Sequence, residues 1–296
     1  MKKNKPPSQN SILLDQFSDT DIRTWNRISE LSEEYHVKLF YHLESLRKIN
    51  HDILCKALQD TTSLNLSADN WWRFVDHRYS NTPLSSTGSL IKGARFNIGN
   101  DLDAVGFKPF PALYIASSEE TAKTEKFGAT KAANGLENHE LALRTPSSYT
   151  AIRIKFNLHN IFDLTKTNNL LTFTQIISKF QLSKELKELA KELKIKPPYL
   201  ISKPSQLKAV LLANEWKYYP VQHEIPANSQ LFGRMLRDAG FEAILFPSTK
   251  VAKSKNLAIF TENLNKSESF VALQDPTPDS VKFSKLDCTN WKELSS

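Results

Sequence analysis

The chain has 296 residues, with 40% hydrophobic and 24% charged residues, the balance of a soluble globular protein long enough to bury a core. The formal net charge is +7 and the pI about 9.2. That excess admits a polyanion partner, but no zinc-finger, RNA-recognition or helix-turn-helix pattern accompanies it, so a lysine-rich surface is the simpler reading and nucleic acid is not expected. No apolar run approaches 18 residues, which excludes a membrane-spanning helix. Two distant cysteines, Cys55 and Cys288, exclude a disulfide framework and fit free thiols in a reducing cytoplasm.

Residues 1–17 are basic, lack an apolar segment behind them, and read as a disordered tail rather than a secretory signal. Residues 18–66 read as a helical extension. Ser18 or Asp19 can cap it, and Ile22, Trp25, Ile28 and Leu31 begin an apolar stripe that Leu39, Leu43 and Leu46 continue. The length fits two helices breaking near 34–37, or one long helix. The stripe must be buried, either against the rest of the chain or on a partner or a second copy. Ser67-Ala68-Asp69-Asn70 then leads into a short apolar turn from Trp71 to Val75, with the tryptophans as packing anchors.

From Arg78 the chain reads as strand and loop. Ala112 to Ala116 fits a buried strand, and Ser117 or Ser118 can cap a helix that carries Ala122 and Glu125. The end of 129–148 reads as loop. Thr150 to Leu158 alternates as a strand. A charged helix follows at 183–193, stopped by Pro197-Pro198. Residues 205–216 form another, ending at Trp216. Ser229 to Ala239 is a helix closed by Gly240, and strands follow at Phe241–Phe246 and Asn256–Phe260. The polar stretch 266–296 reads as a tail, ordered only in part.

The residues that suit chemistry concentrate between Arg78 and Glu125. Arg78-Tyr79 opens the stretch, Gly93-Ala94-Arg95-Phe96-Asn97 lies in its middle, and Tyr114 precedes Glu125 by eleven residues. Arginine offers a planar fork for phosphate, and a carboxylate can stabilise developing positive charge. Taken alone, each of these residues is as readily a surface ion, a core tyrosine or a turn serine. His77, His159 and His223 have no metal-ligand spacing, and Ser248 lacks the surroundings of a hydrolase nucleophile. No metal is expected.

Four pieces occur together in order: Arg78-Tyr79; Gly93-Ala94-Arg95-Phe96-Asn97; Leu113-Tyr114-Ile115-Ala116 with Glu125; and Ala239-Gly240-Phe241 leading through Phe246-Pro247-Ser248 to Asn256–Phe260. Over roughly residues 72–265 they resemble the RES domain. The family pattern usually has Gly-Gly-Arg-Trp-Asn, so Ala94 and Phe96 are mild departures. The resemblance implies a mixed α/β fold similar to ADP-ribosyltransferase domains, here taken as 67–265. It also implies an NAD⁺-consuming toxin paired with an Xre-type antitoxin. The reaction would cleave the nicotinamide–ribose bond, with water or inorganic phosphate as acceptor. It implies catalytic roles for Arg78, Glu125 and Ser248, with Tyr79, Arg95, Asn97 and Tyr114 binding substrate. A mono-ADP-ribosyltransferase acting on a protein is the second reading, and a basic nucleic-acid- or partner-binding module the third.

Overall fold

The computed structural model describes residues 19–103, 106–128, 148–196 and 200–295. The tail expected at 1–17, the stop at Pro197-Pro198 and nearly all of the loop expected at 129–148 lie outside these residues. The described residues fall into two compact units, one from residues 19–46 and 181–196, the other from 47–180 and 200–295. Among the described residues no helix is long and apolar enough to cross a membrane.

The first unit holds most of α1 (Asp19–Ile49), which is the one long helix of the two alternatives and runs unbroken through 34–37. Its partner is α6 (Lys184–Glu192), whose first turn is capped by Ser183 accepting from the Leu186 amide at 3.3 Å. The charged composition of α6 conceals an apolar stripe. Leu186, Leu189, Ala190 and Leu193 pack on Tyr35 and Leu39 of α1. Arg27–Glu192 and Lys38–Glu185 pairs flank this seam, but both are exposed and contribute little beside the apolar contact. The N-terminal part of the stripe differs from expectation: Ile22, Trp25 and Ile28 are exposed.

The second unit is a mixed seven-stranded sheet with helices around it, the α/β class the sequence predicts. Its strands are β1 (Leu64–Asp76), β2 (Leu113–Ala116), β3 (Tyr149–Asp163), β4 (Ala243–Pro247), β5 (Lys255–Ile259), β6 (Phe270–Leu273) and β7 (Lys285–Leu286). Their order is β1-β2-β5-β4-β3-β6-β7, and β1 also pairs along most of β3, so the first five close on themselves. Among the described strand pairs, only β3–β4 is parallel.

Two stretches fold differently from the sequence reading. The apolar turn expected from Trp71 to Val75 is strand: β1 runs through it and through Ser67–Asn70 before it. The ladder to β3 shifts register between Ala68 and Trp71, with Asn70 in a left-handed conformation (φ 58°) that asparagine tolerates, so a bulge precedes Trp71. The stretch from 266 is no loose tail either. It supplies β6, β7 and α10 (Trp291–Ser295), and buries Val271, Leu286 and Leu294 in the main core. The remaining helices are α2 (His51–Gln59), α3 (Thr87–Ile91), α4 (Glu119–Phe127), α5 (Leu171–Ile177), α7 (Pro204–Leu211), α8 (Tyr218–His223) and α9 (Asn228–Asp238). Gly240, at φ +86°, ends the α9 turn as expected.

Strand alternation separates core from site. Leu113 and Ile115, Leu257 and Ile259, Ala243 and Leu245 join Ile154, Phe156 and Leu158 in the apolar cluster. The alternate residues Tyr114, Asn256, Ile244 and Phe246 therefore project from the opposite face. On that face lies the loop 93–99. Phe96 is fully buried and meets the Phe246 ring edge-on at 4.8 Å. Asn97, also fully buried, holds the loop with its whole amide: Nδ2 donates to Ser89 O (2.7 Å) and Phe110 O (3.1 Å), while Oδ1 accepts from the Ala94 amide (3.2 Å) and Tyr114 Oη (3.0 Å). Helix α9 presses on the loop at Gly233, where an added Cβ would stand 2.0 Å from Phe96 O.

Two substitutions test this packing. Gly233→Ala should cost about 2–3 kcal/mol or more, because backbone must move. Gly88→Ala, in open space on α3, should be neutral or stabilising by up to about 1 kcal/mol. Urea titration of both variants checks the contrast. Asn97→Ala removes four side-chain hydrogen bonds, including those to the carbonyls of Ser89 and Phe110, and should lower stability by at least about 2 kcal/mol. A wild-type denaturation midpoint for that variant would show that the loop is held some other way.

Candidate active site

The topology gathers one cluster at one end of the sheet. β5 lies between β2 and β4, with Ala116 opposite Asn256 and Asn256 opposite Phe246. The exit of β2, the start of β5 and the end of β4 are thus neighbours. β2 leads directly into α4, capped by Ser118, whose side chain accepts from the Thr121 amide at 3.2 Å. The Phe127 ring packs against Phe74 and Tyr149, docking the far end of α4 on β1 and β3. Glu125, in its second turn, is thereby turned toward the ends of β4 and β5.

Three donors meet the Glu125 carboxylate. Ser248 Oγ donates to Oε1 at 2.8 Å and Asn256 Nδ2 donates to the same oxygen at 3.1 Å. Lys250 Nζ stands 3.4 Å from Oε2 and also reaches the carbonyls of Thr124 and Glu125 at 3.3 and 3.2 Å. The lysine therefore satisfies the last turn of α4, where cations are favoured, while steadying the carboxylate. Ser248 Oγ also accepts from the amides of Lys250 (3.2 Å) and Val251 (3.1 Å). Its one proton and both lone pairs are committed within the protein. Its geometry is that of a group that orients Glu125.

Arg95 lies on the loop 93–99. Its Nη1 donates to Ala213 O at 2.7 Å. Burial pushes this guanidinium below the ordinary arginine range, and the charges of Glu125 and Glu215 oppose that. Arg95 is thus a half-buried cation within the field of Glu125. Tyr114 Oη donates to Asn97 and accepts from the Phe96 amide at 3.0 Å. Burial pushes its phenol well above the ordinary range, so it stays a neutral donor. Tyr114 and Asn97 both spend their polar groups on holding the arginine loop, and fully buried Asn97 has none left for a ligand.

Arg78 and Tyr79 stand at the exposed rim. The Arg78 side chain is 73% exposed, sits 4.8 Å over the Tyr79 ring and lies 3.6 Å from Asp76. Asp76 in turn pairs with Lys126 at 2.9 Å, next in sequence to Glu125. The structure thus joins Glu125 directly to Ser248, couples Arg95 to them electrostatically, and places Arg78 near the same helix end. Sequence reasoning missed Lys250 and Asn256. Asn256 gave a signal: a polar residue opening an apolar strand, in step with Ala258 rather than with the core residues Leu257 and Ile259.

A second constellation needs comparison. Cys55 Sγ is 3.6 Å from His51 Nε2, which is 3.9 Å from Asp238. The residue types are those of a thiol nucleophile, a base and an acid, but thiol and acid approach the same ring nitrogen, so the acid does not orient the base toward the thiol. The thiol, however, is buried and pushed up to about 11, chiefly by desolvation and further by Asp238 and Asp52. A nucleophilic cysteine needs the opposite shift.

No curated protein matches this chain. Among solved structures, the M. tuberculosis MbcT–MbcA toxin–antitoxin complex is similar over 81% of this chain and 96% of that one, at 14% identity and a TM-score of 0.42. The family model described as "RES domain" matches residues 70–279, which takes in every candidate residue from Arg78 to Asn256. That match spans well over half of the sequence, and the chain belongs to the RES domain family.

Proposed function

We propose that this protein is an NAD⁺-consuming enzyme that cleaves the nicotinamide–ribose bond and passes the ADP-ribosyl group to inorganic phosphate or water. The observation that carries the reading is Glu125: a carboxylate oriented by Ser248, Asn256 and Lys250 in the field of the half-buried Arg95. Family membership supports a toxin role with an antitoxin partner.

The chemistry asks for little more. The C–N bond breaks through an oxocarbenium-like state with positive charge on the ribose. Nicotinamide takes the bonding electron pair and leaves neutral, so no proton need be delivered. A fixed carboxylate beside the ribose stabilises the cation, and its hydrogen bonds avoid reorganisation as charge develops. An oxygen of phosphate or water then bonds to the ribose carbon; with phosphate the product is ADP-ribose 1″-phosphate. Arg95 and Arg78 suit the pyrophosphate, one within the site and one at its rim. Ser248 and Asn256 act as positioning residues for Glu125. The same carboxylate would serve transfer to a protein acceptor, so the products decide between the two.

Incubating purified protein with NAD⁺, with and without phosphate, and identifying products by mass tests the reading. Free ADP-ribose or its phosphate is expected; NAD⁺ left intact would overturn it. Glu125→Gln keeps size but removes the charge, and should lower turnover by about 10²-fold or more at nearly wild-type stability. Wild-type turnover in that folded variant would sink the carboxylate's role.

The arginines give a graded test. Lysine keeps the charge but loses the fork. Arg78→Lys should lower kcat/KM by about tenfold, and Arg95→Lys by more, because Arg95 is shielded from water and its fork is already oriented. Equal, wild-type kcat/KM values would assign both to the surface.

A further inference from the structure

A cleft of about 170 Å³ opens beside Arg95, in the segment that runs from the end of α7 to the start of α9. Trp216, Tyr218 and Tyr219 supply its aromatic lining, and Ala213, Asn228 and Ser229 complete the part that matters here. Resting on the proposed reaction, we propose that this cleft is the nucleobase subsite, which stacks the adenine of the dinucleotide.

Four observations converge. The first is size: the cleft lies below the roughly 300–1,000 Å³ that encloses a drug-sized ligand, so it suits one ring system rather than a whole dinucleotide. The second is the lining. Tyr218 is 49% exposed although it is large and aromatic, and flat aromatic faces are what purines stack on. The third is Ser229 Oγ. It is buried (1% exposed for the residue) and has no hydrogen-bond partner among the described residues. An unmet buried hydroxyl is costly, and a ring nitrogen or exocyclic amine would satisfy it. The fourth is charge. Glu215 also lines the cleft, which repels phosphate but accepts from an exocyclic amine.

The order of groups fits the ligand. Ala213, in the cleft wall, accepts from Arg95 at 2.7 Å, and Arg95 feels the charges of both Glu215 and Glu125. The guanidinium thus touches the cleft wall while it feels the carboxylate's field, a placement suited to the pyrophosphate that links adenosine to the nicotinamide ribose. Gln230 locks this spacing. Its Oε1 accepts from the Ala227 amide at 2.9 Å and its Nε2 donates to Asn97 O at 3.1 Å, so the cleft floor and the arginine loop form one rigid piece.

Calorimetric titration with AMP and with nicotinamide mononucleotide, on wild type and Trp216→Ala, tests the subsite without turnover. AMP affinity should fall about tenfold in Trp216→Ala and recover in Trp216→Phe, while the mononucleotide, which lacks adenine, changes less than twofold. Ser229→Ala should weaken AMP severalfold. The KM for NAD⁺ should rise in parallel. AMP binding that is absent in wild type, or equal in wild type and Trp216→Ala, overturns the subsite. If AMP binds as expected but NAD⁺ is not consumed, the subsite stands and the proposed reaction fails. If NAD⁺ is consumed with the same KM by Trp216→Ala, the reaction stands and the subsite fails.

Discussion

The site depends on one buried amide. Loop 93–99 has no ladder of its own, yet most of it is out of water, so its backbone groups need partners. Asn97 meets that need by spending two donors and two acceptors on Ser89, Phe110, Ala94 and Tyr114. A loop pinned this way behaves like an element. Leaving one such group unmet would cost about 1–3 kcal/mol, a sizeable share of a domain's net stability. Arg95 is carried by this pinned backbone, two residues from the amide that pins it. The backbone that carries this charge is therefore set by hydrogen bonds the guanidinium does not itself make, and the guanidinium's own bond goes to Ala213 O.

Close packing completes the constraint. Gly233 lets α9 sit against Phe96 O, and Gly99 leaves room for Gly93 N, where a Cβ would stand at 2.2 Å. The same helix begins with Gln230 holding the loop and Ser229 in the aromatic cleft. On the other flank, Ser248 and Asn256 belong to the ends of neighbouring antiparallel strands, and Glu125 comes from the helix after a third. No two of these groups can shift far without breaking a strand pairing. Preorganisation follows from topology rather than from any strong single bond.

Much of this was legible in sequence where the signal is local. Ser118 before Glu119-Glu120 marked α4, Gly240 marked the end of α9, and short apolar runs marked β2, β4 and β5. The RES pieces named Glu125, Arg95 and Ser248 together. What stayed hidden depends on partners distant in the chain. The charged stretch 184–192 looks solvated until Tyr35 and Leu39 show which face it buries. The polar 266–295 segment holds few apolar residues, but Val271, Leu286 and Leu294 each find the core. Trp71 to Val75 reads as a short apolar turn; only the β3 partner shows it as strand, with the bulge at Asn70 before it. Asn97 reads as a ligand contact in the motif, and only its four neighbours reveal a scaffold. Lys250 has no motif at all. Its meaning lies in the carbonyls of α4 that it reaches.

The two arginines show why exposure, more than identity, decides what a charge can do. Arg78 and Arg95 share the same guanidinium, and the sequence gives no ground for ranking them. In water a unit charge pair at 4 Å is worth about 1 kcal/mol; at an effective dielectric near 20 it is worth about 4. Arg78, 73% exposed and paired loosely with Asp76, lies near the first limit. Arg95, partly desolvated and aimed at a carbonyl, lies nearer the second. An anionic ligand would therefore be steered by Arg78 and held by Arg95. The cost of keeping Arg95 out of water is offset only in part in the free protein by Ala213 O and by the field of Glu125. A diphosphate bound beside Arg95 would add negative charge close to that carboxylate, and the cation between them limits the repulsion. Under the proposed reaction, the same arrangement would let Glu125 act on the ribose, where positive charge appears only as the bond breaks.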